Sequence, residues 1–210
     1  MGDPYLLPLC RAIVASYSDV PWFQNPSRTC QVYKSVVLDH PCYTFGPTRT
    51  WQEWFVDFLA PDIPNFDHPV LGPVHLGFWN DIATSIDAIC ADLSALGWPS
   101  YLLAGHSKGA GEAIEGHARM QLIEHPPLAT RAYEPPCVGT GKLSAFLAAQ
   151  DIGWTKTVNA TGVDLVTQVP HWAEWCHQGV ETQLRVPDSD GIAQKHEWPA
   201  VLAAVEALAS

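Results

Sequence analysis

Apolar residues recur along this chain in two alternating rhythms. Leu6, Leu9, Cys10, Ile13, Val14 and Tyr17 fall at helical spacing, which predicts a first helix over Leu6 to Ser18. Gln31 to Leu38 and Pro41 to Phe45 read as two strands joined at Asp39-His40, an antiparallel hairpin at one side of a sheet. Pro21 to Thr29 reads as loop. Thr50, with Glu53 three residues on, has the spacing of a capping box and predicts a short helix. Ala60 to Pro73 carries Pro61, Pro64, Pro69 and Pro73 and no period, which predicts a surface loop.

From Val74 the pattern becomes helical, to about Leu96, with Ile82, Ile86, Ile89, Cys90, Leu93 and Leu96 on one stripe. Gly97 stops it and Pro99 follows. Tyr101 to Ala104 is then a short apolar run, read as a buried strand, and a helix from Ala110 to about Glu124 comes after it. Further on, Thr130 to Glu134, Trp154 to Asn159 and Glu181 to Val186 read as strands. Lys142 to Gln150 reads as a helix, Val169 to Gly179 as loop, and a last helix opens at His196. Strands and helices that alternate in this way predict an α/β fold: one mostly parallel central sheet with helices on its faces.

The chemistry concentrates where the apolar run turns into a helix. Gly105-His106-Ser107-Lys108-Gly109 is Gly-x-Ser-x-Gly between a strand and a helix, the setting of a nucleophile elbow. Glycines at both ends remove Cβ atoms that would collide in so sharp a turn. The same residues fit neither Gly-x-Gly-x-x-Gly nor a phosphate-binding loop, and Gly139-Thr140-Gly141-Lys142-Leu143 fails as one too.

A serine hydroxyl needs a base, and the base needs an orienting carboxylate. In elbow hydrolases both follow the serine, in the order acid then histidine, each beyond a strand end. Asp164 and His196 meet that order. His177 is the nearest rival for the base, with His171, His106 and His117 behind it; Asp151, Asp188 and Asp190 compete for the acid. His171, Glu174, Cys176 and His177 are clustered, but their spacing fits no zinc signature.

Composition narrows the classes. With 210 residues, 47% hydrophobic and 16% charged, the chain is expected to fold as one domain over 1–210. A net charge of −11 argues against nucleic acid and anionic membrane surfaces, and leaves neutral esters and lipids open. No apolar stretch reaches membrane-spanning length, and Met1-Gly2-Asp3-Pro4 lacks a basic region. The expected location is therefore cytoplasmic, with the six scattered cysteines as free thiols.

Several segments together resemble the class 3, fungal-type lipases of the α/β-hydrolase superfamily, from about Val36 to the C-terminus. Phe45-Gly46-Pro47-Thr48 with Trp54 and Asp57 resembles their Phe-Arg-Gly-Thr segment. Val74-His75-Leu76-Gly77-Phe78 resembles Val-His-x-Gly-Phe, and Gly105 to Gly109 the Gly-His-Ser-Leu-Gly elbow. Tyr133-Glu134-Pro135-Pro136-Cys137-Val138-Gly139 is similar to Phe-Gly-x-Pro-Arg-Val-Gly. Asp164-Leu165-Val166 with Val169-Pro170, and His177-Gln178-Gly179-Val180-Glu181, fit the later motifs.

The resemblance implies nucleophile Ser107, acid Asp164 and base His196, with His177 structural. It implies oxyanion donors at the backbone N–H of Lys108 and at the backbone and hydroxyl of Thr48, and no cofactor or metal. Pro47 has no N–H to offer in this loop, and Lys108 stands where leucine is usual, bringing a charge toward the mouth. The segment matching the family's lid, Ala60 to Pro73, is short and proline-rich, which implies weak interfacial activation. The expected activity is cleavage of carboxylic esters through an acyl-enzyme, on a small ester or lipid substrate. The competing reading is a hydrolase-like binding module, which the altered oxyanion loop favours.

Overall fold

A computed structural model describes residues 2–46, 65–170 and 174–210. Its main sheet is built from β1 (Phe23–Gln24), β2 (Gln31–Val37), β3 (His40–Phe45), β6 (Leu102–His106), β7 (Ala129–Tyr133) and β9 (Ile152–Asn159), adjacent in that order. The short β10 (Gly162–Val163) pairs antiparallel with the end of β9, and β12 (Val180–Arg185) pairs with β9 in parallel. β3, β6, β7, β9 and β12 run parallel; β1 and β2 are antiparallel additions at one edge.

The central strands β6 and β7 are buried on both faces, which is why β6 reads as an unbroken apolar run. Leu102 and Ala104 face α1 (Leu6–Ser16) and α7 (Trp198–Ala209), together with Leu9, Ile13, Val201 and Val205. Tyr101 and Leu103 face the opposite way, against Ile82, Ile86, Ile89 and Leu93 around α3 (Ala83–Leu96). On that second face α4 (Lys108–Leu122) runs back over the sheet. Its Ala110, Ile114 and Ala118 pack with Phe78 of α2 (Leu76–Asp81) and Leu143 and Leu147 of α5 (Gly141–Leu147).

Several sequence expectations need correction, among them the loop readings of Pro21 to Thr29, which contains β1, and of Val169 to Gly179, which contains the strand Trp175–Cys176. The stretch 65–75 is not loop: β4 (Asn65–His68) and β5 (Gly72–His75) form an antiparallel hairpin. Val74 also pairs with Gly139 of β8 (Gly139–Thr140), and β8 pairs with β11 (Trp175–Cys176), making a second, four-stranded sheet. The predicted helix from Val74 therefore starts at Leu76, capped by His75 Nδ1 accepting from the Phe78 N–H at 3.2 Å. It breaks at Ile82 into α2 and α3. Leu96, assigned to its apolar stripe, is half exposed.

A further correction concerns His196, which ends a short helix, α6 (Ile192–His196), and does not open the last one. Pro199 has no N–H for the Lys195 carbonyl, and its ring would strike that group if one helix ran through. The backbone extends at Glu197 instead, and α7 restarts with proline in its first turn. The Lys195 carbonyl is taken up by Thr157 Oγ1 at 2.8 Å, which ties the histidine-bearing turn to β9. The helix expected after Thr50 lies outside the described residues. No described helix is long and apolar enough to cross a membrane.

Candidate active site

The elbow is formed by backbone contact. Ser107 has φ 57° and ψ −123°, a conformation that L-residues rarely adopt. A Cβ on Gly105 would lie 2.0 Å from the Gly109 carbonyl oxygen, and one on Gly109 would lie 2.3 Å from that of Phe45. The Ser107 N–H donates to the Tyr133 carbonyl at 2.9 Å, which pins the turn to β7. The Ser107 carbonyl accepts from Ala110 and Gly111. The N–H of Lys108 thus precedes the first bonds of the helix ladder, where donors are left to face a ligand and the dipole favours negative charge.

Ser107, Asp164 and His196, far apart in sequence, meet here. His196 Nε2 lies 2.8 Å from Ser107 Oγ, and His196 Nδ1 lies 2.7 Å from Asp164 Oδ2. An ionised carboxylate can only accept, so Nδ1 carries the proton and Nε2 is left to accept from the serine hydroxyl. All three side chains are buried. Asp164 follows β10, and its Oδ1 accepts the Val166 N–H at 3.1 Å at the start of a 3-10 turn. Burial pushes the Asp164 carboxyl up. The charge and hydrogen bond of His196, with further bonds from Glu134 and Val166, outweigh burial and hold the carboxyl below its ordinary value.

The rival residues are engaged elsewhere. His177 stacks on Trp154 at 3.7 Å between centroids, and its Nε2 donates to the Thr167 carbonyl at 2.8 Å. His117 is buried against Thr130 Oγ1, and burial lowers its pKa to about 4. Asp151 pairs with Arg131 at 2.8 Å, and Asp188 accepts from the Ala160 N–H. His106, next to Ser107 in sequence, turns toward the candidate base. Its ring stacks on His196 at 4.9 Å, with Nδ1 held by Tyr17 Oη at 2.8 Å. Burial first, then the facing His196, keep His106 neutral well below the usual histidine pKa. Thr48 and His171 lie outside the described residues.

Lys108 also departs from expectation. Its ammonium turns inward to Glu112, one helical turn on, to Asp81 Oδ2 at 3.1 Å and to the Thr29 carbonyl at 2.9 Å. The i,i+4 spacing on α4 sets the first of these pairs. The charge stitches the back of the elbow to the β1–β2 connection and leaves the mouth to the backbone. Burial pushes the Glu112 carboxyl up to about 7, against the pull of Lys108.

Between the ordinary value of 4.5 and about 7, the folded protein keeps a proton at Glu112 that the unfolded chain has released. This contribution to stability is present at pH 4.5 and is lost as pH rises to 7, on the order of 3 kcal/mol. Urea unfolding at pH 5 and 7.5 should show a smaller difference in Glu112→Gln than in wild type. An unchanged difference would count against this account.

Among the described residues, Glu134, Asp164 and His196 form a group whose ligand-type atoms lie within 4.8 Å of one another. Both His196 nitrogens are already committed, to Asp164 and to Ser107, so the group reads as a hydrogen-bonded chain. Glu134, which the sequence reading did not single out, lies beside two of the candidate residues. The signal was present: it stands where the resembling lipase segment has glycine.

No protein-family model matches the chain, and no curated protein matches it in sequence. Solved structures do match. A triacylglycerol lipase from Penicillium expansum superposes with a TM-score of 0.64 at 16% identity, over 86% of this chain and 77% of that one. A lipase from Rhizopus microsporus var. chinensis gives 0.61 at 19%, over 85% and 70%. The Rhizomucor miehei triacylglyceride lipase gives 0.62 at 16%, over 84% and 75%. At these identities the likeness speaks for architecture. Together with the parallel sheet and the elbow, it shows an α/β-hydrolase fold like that of these lipases.

Proposed function

We propose that the protein is a cofactor-free serine hydrolase that cleaves carboxylic esters. The observation that carries the reading is the continuous run of hydrogen bonds Ser107 Oγ to His196 to Asp164, at 2.8 and 2.7 Å, on a strained elbow. Strain at one residue costs on the order of 1–3 kcal/mol and is kept where function requires it. The lipase activity of the structural neighbours supports the same substrate class.

In the proposed reaction Ser107 Oγ attacks the ester carbonyl carbon while His196 Nε2 takes the hydroxyl proton. The carbonyl oxygen becomes an oxyanion beside the Lys108 N–H, with Thr48 as the second donor implied by the family resemblance. Collapse breaks the bond to the alkoxy oxygen, which leaves as the alcohol with the proton from His196. Water then attacks the acyl-serine with His196 as base, releasing the acid and restoring Ser107. Asp164 holds the imidazole in the required tautomer throughout.

A fluorophosphonate probe should label wild type and leave Ser107→Ala unlabelled. Failure to label either would favour the binding-module reading. Nitrophenyl esters from two to sixteen carbons then report acyl length, and a sharp rise in rate above the solubility limit would contradict weak interfacial activation.

A further inference from the structure

Glu134 is fully buried immediately after β7, with φ at 53°. An L-residue held there costs about 1 kcal/mol or more, which glycine would not incur. Its N–H donates to the Thr155 carbonyl at 3.2 Å. Oε1 accepts from Thr155 Oγ1 at 3.3 Å and Oε2 from the Thr157 N–H at 3.1 Å. The carboxyl also lies beside that of Asp164: an oxygen of each and a nitrogen of His196 fall within 4.8 Å of one another, a spacing that allows a hydrogen bond between the two carboxyls. Two carboxyl groups can share such a bond only if one of them supplies a proton.

The surroundings decide which one. Asp164 accepts from His196 Nδ1 and from the Val166 N–H, both of which favour its charged form. Glu134 meets only neutral donors from β9. Burial, followed by the charge of Asp164, pushes its carboxyl well above the ordinary range. The titratable groups facing the pair are His196 from α6 and, behind it, the neutral His106 from β6. The ammonium of Lys195 on α6 is directed to Thr161 Oγ1 and the Gly162 carbonyl.

We infer that Glu134 is a positioning residue for ester hydrolysis: its carboxyl O–H donates to Asp164 and fixes the carboxylate that orients His196. The inference rests on the hydrolase reading above and extends the hydrogen-bonded chain to four members. The backbone strain at Glu134 then has a use, because the left-handed conformation lets a side chain at the end of β7 reach the loop after β10.

The test compares Glu134→Gly, which relieves the backbone and deletes the donor, with Glu134→Gln, whose amide can still donate. Thermal unfolding establishes that each is folded. In Glu134→Gly, kcat should fall on the order of 10- to 100-fold with KM little changed, the range seen for outer partners that orient a histidine. Without the donor the Asp164 carboxylate directs more of its negative charge at the base, so the acid limb of kcat/KM should move up by roughly one pH unit. Glu134→Gln should restore most of the rate and the wild-type limb.

Infrared spectra at pH 7, wild type minus each variant, should leave one protonated-carboxyl stretch belonging to Glu134, since the contribution of Glu112 cancels. A Glu134→Gly enzyme with wild-type kcat and pH profile, or a wild type without that band, overturns the inference. A wild type that neither hydrolyses esters nor takes the probe defeats the hydrolase reading, and the positioning role falls with it.

Discussion

Gly105→Ala and Gly109→Ala are expected to destabilise the protein on the order of 4 kcal/mol or more each, a large part of a typical domain's stability. A methyl group at 105 would sit 2.0 Å from the Gly109 oxygen and 2.2 Å from its carbonyl carbon. One at 109 would sit 2.3 Å from the Phe45 oxygen and 2.8 Å from its carbonyl carbon. These obstacles are backbone atoms at the meeting of β3, β6 and α4, so no side chain can swing aside. The prediction at 109 runs against propensity, since alanine is better than glycine in a helix by about 1 kcal/mol. Gly141, in the first turn of α5, provides the control. Nothing lies within 4 Å of a Cβ there, and Gly141→Ala should be neutral or slightly stabilising. Urea unfolding of the three variants decides the matter. A midpoint for Gly105→Ala or Gly109→Ala close to that of wild type would show that the elbow can open without cost.

What could be read from sequence follows the range of the forces involved. β6 and α3 are set by local pattern: an apolar run between Pro99 and the elbow, and a stripe at Ile82, Ile86, Ile89 and Leu93. β4 and β5 are not, because Asn65 to Asp67 is exposed and carries no alternation of apolar residues. They are strands because their backbones pair with each other, Phe66 opposite Val74, and because Val74 has a further partner at Gly139, over sixty residues away. The break before α7 was legible at Pro199, and the assignment of His196 to the last helix overlooked it. Half of the Lys108 pairing was legible as well, in the i,i+4 step to Glu112; Asp81 reaches it only through the fold. For the candidate site, Ser107 was marked by its motif. Asp164 and His196 were marked only by their order along the chain and by the family resemblance, since many loop residues of those types compete. Glu134 was marked by standing where the resembling segment has glycine, but what its carboxyl lies beside is set only when the end of β7 meets the loop after β10.

Asp164→Asn should lower kcat on the order of 10⁴-fold while leaving the fold intact, because the change is isosteric and replaces one buried polar group with another. In the proposed reaction the carboxylate does two things for His196. It accepts from Nδ1 at 2.7 Å, which leaves Nε2 bare toward Ser107, and it stabilises the imidazolium formed when the serine proton arrives. An asparagine can instead offer its amide N–H to Nδ1, which moves the ring proton to Nε2 and blocks the acceptor the serine needs. The loss should fall on kcat, with KM little affected, because the charge acts only when the proton has moved. Ser107→Ala and His196→Ala should each cost more, on the order of 10⁵- to 10⁶-fold, and the double variant should be no worse than either alone. Steady-state ester hydrolysis by the four proteins, with unfolding curves beside it, measures these effects. If Ser107→Ala and His196→Ala losses multiplied in the double variant, the two side chains would be acting independently. The 2.8 Å contact between them would then be packing alone.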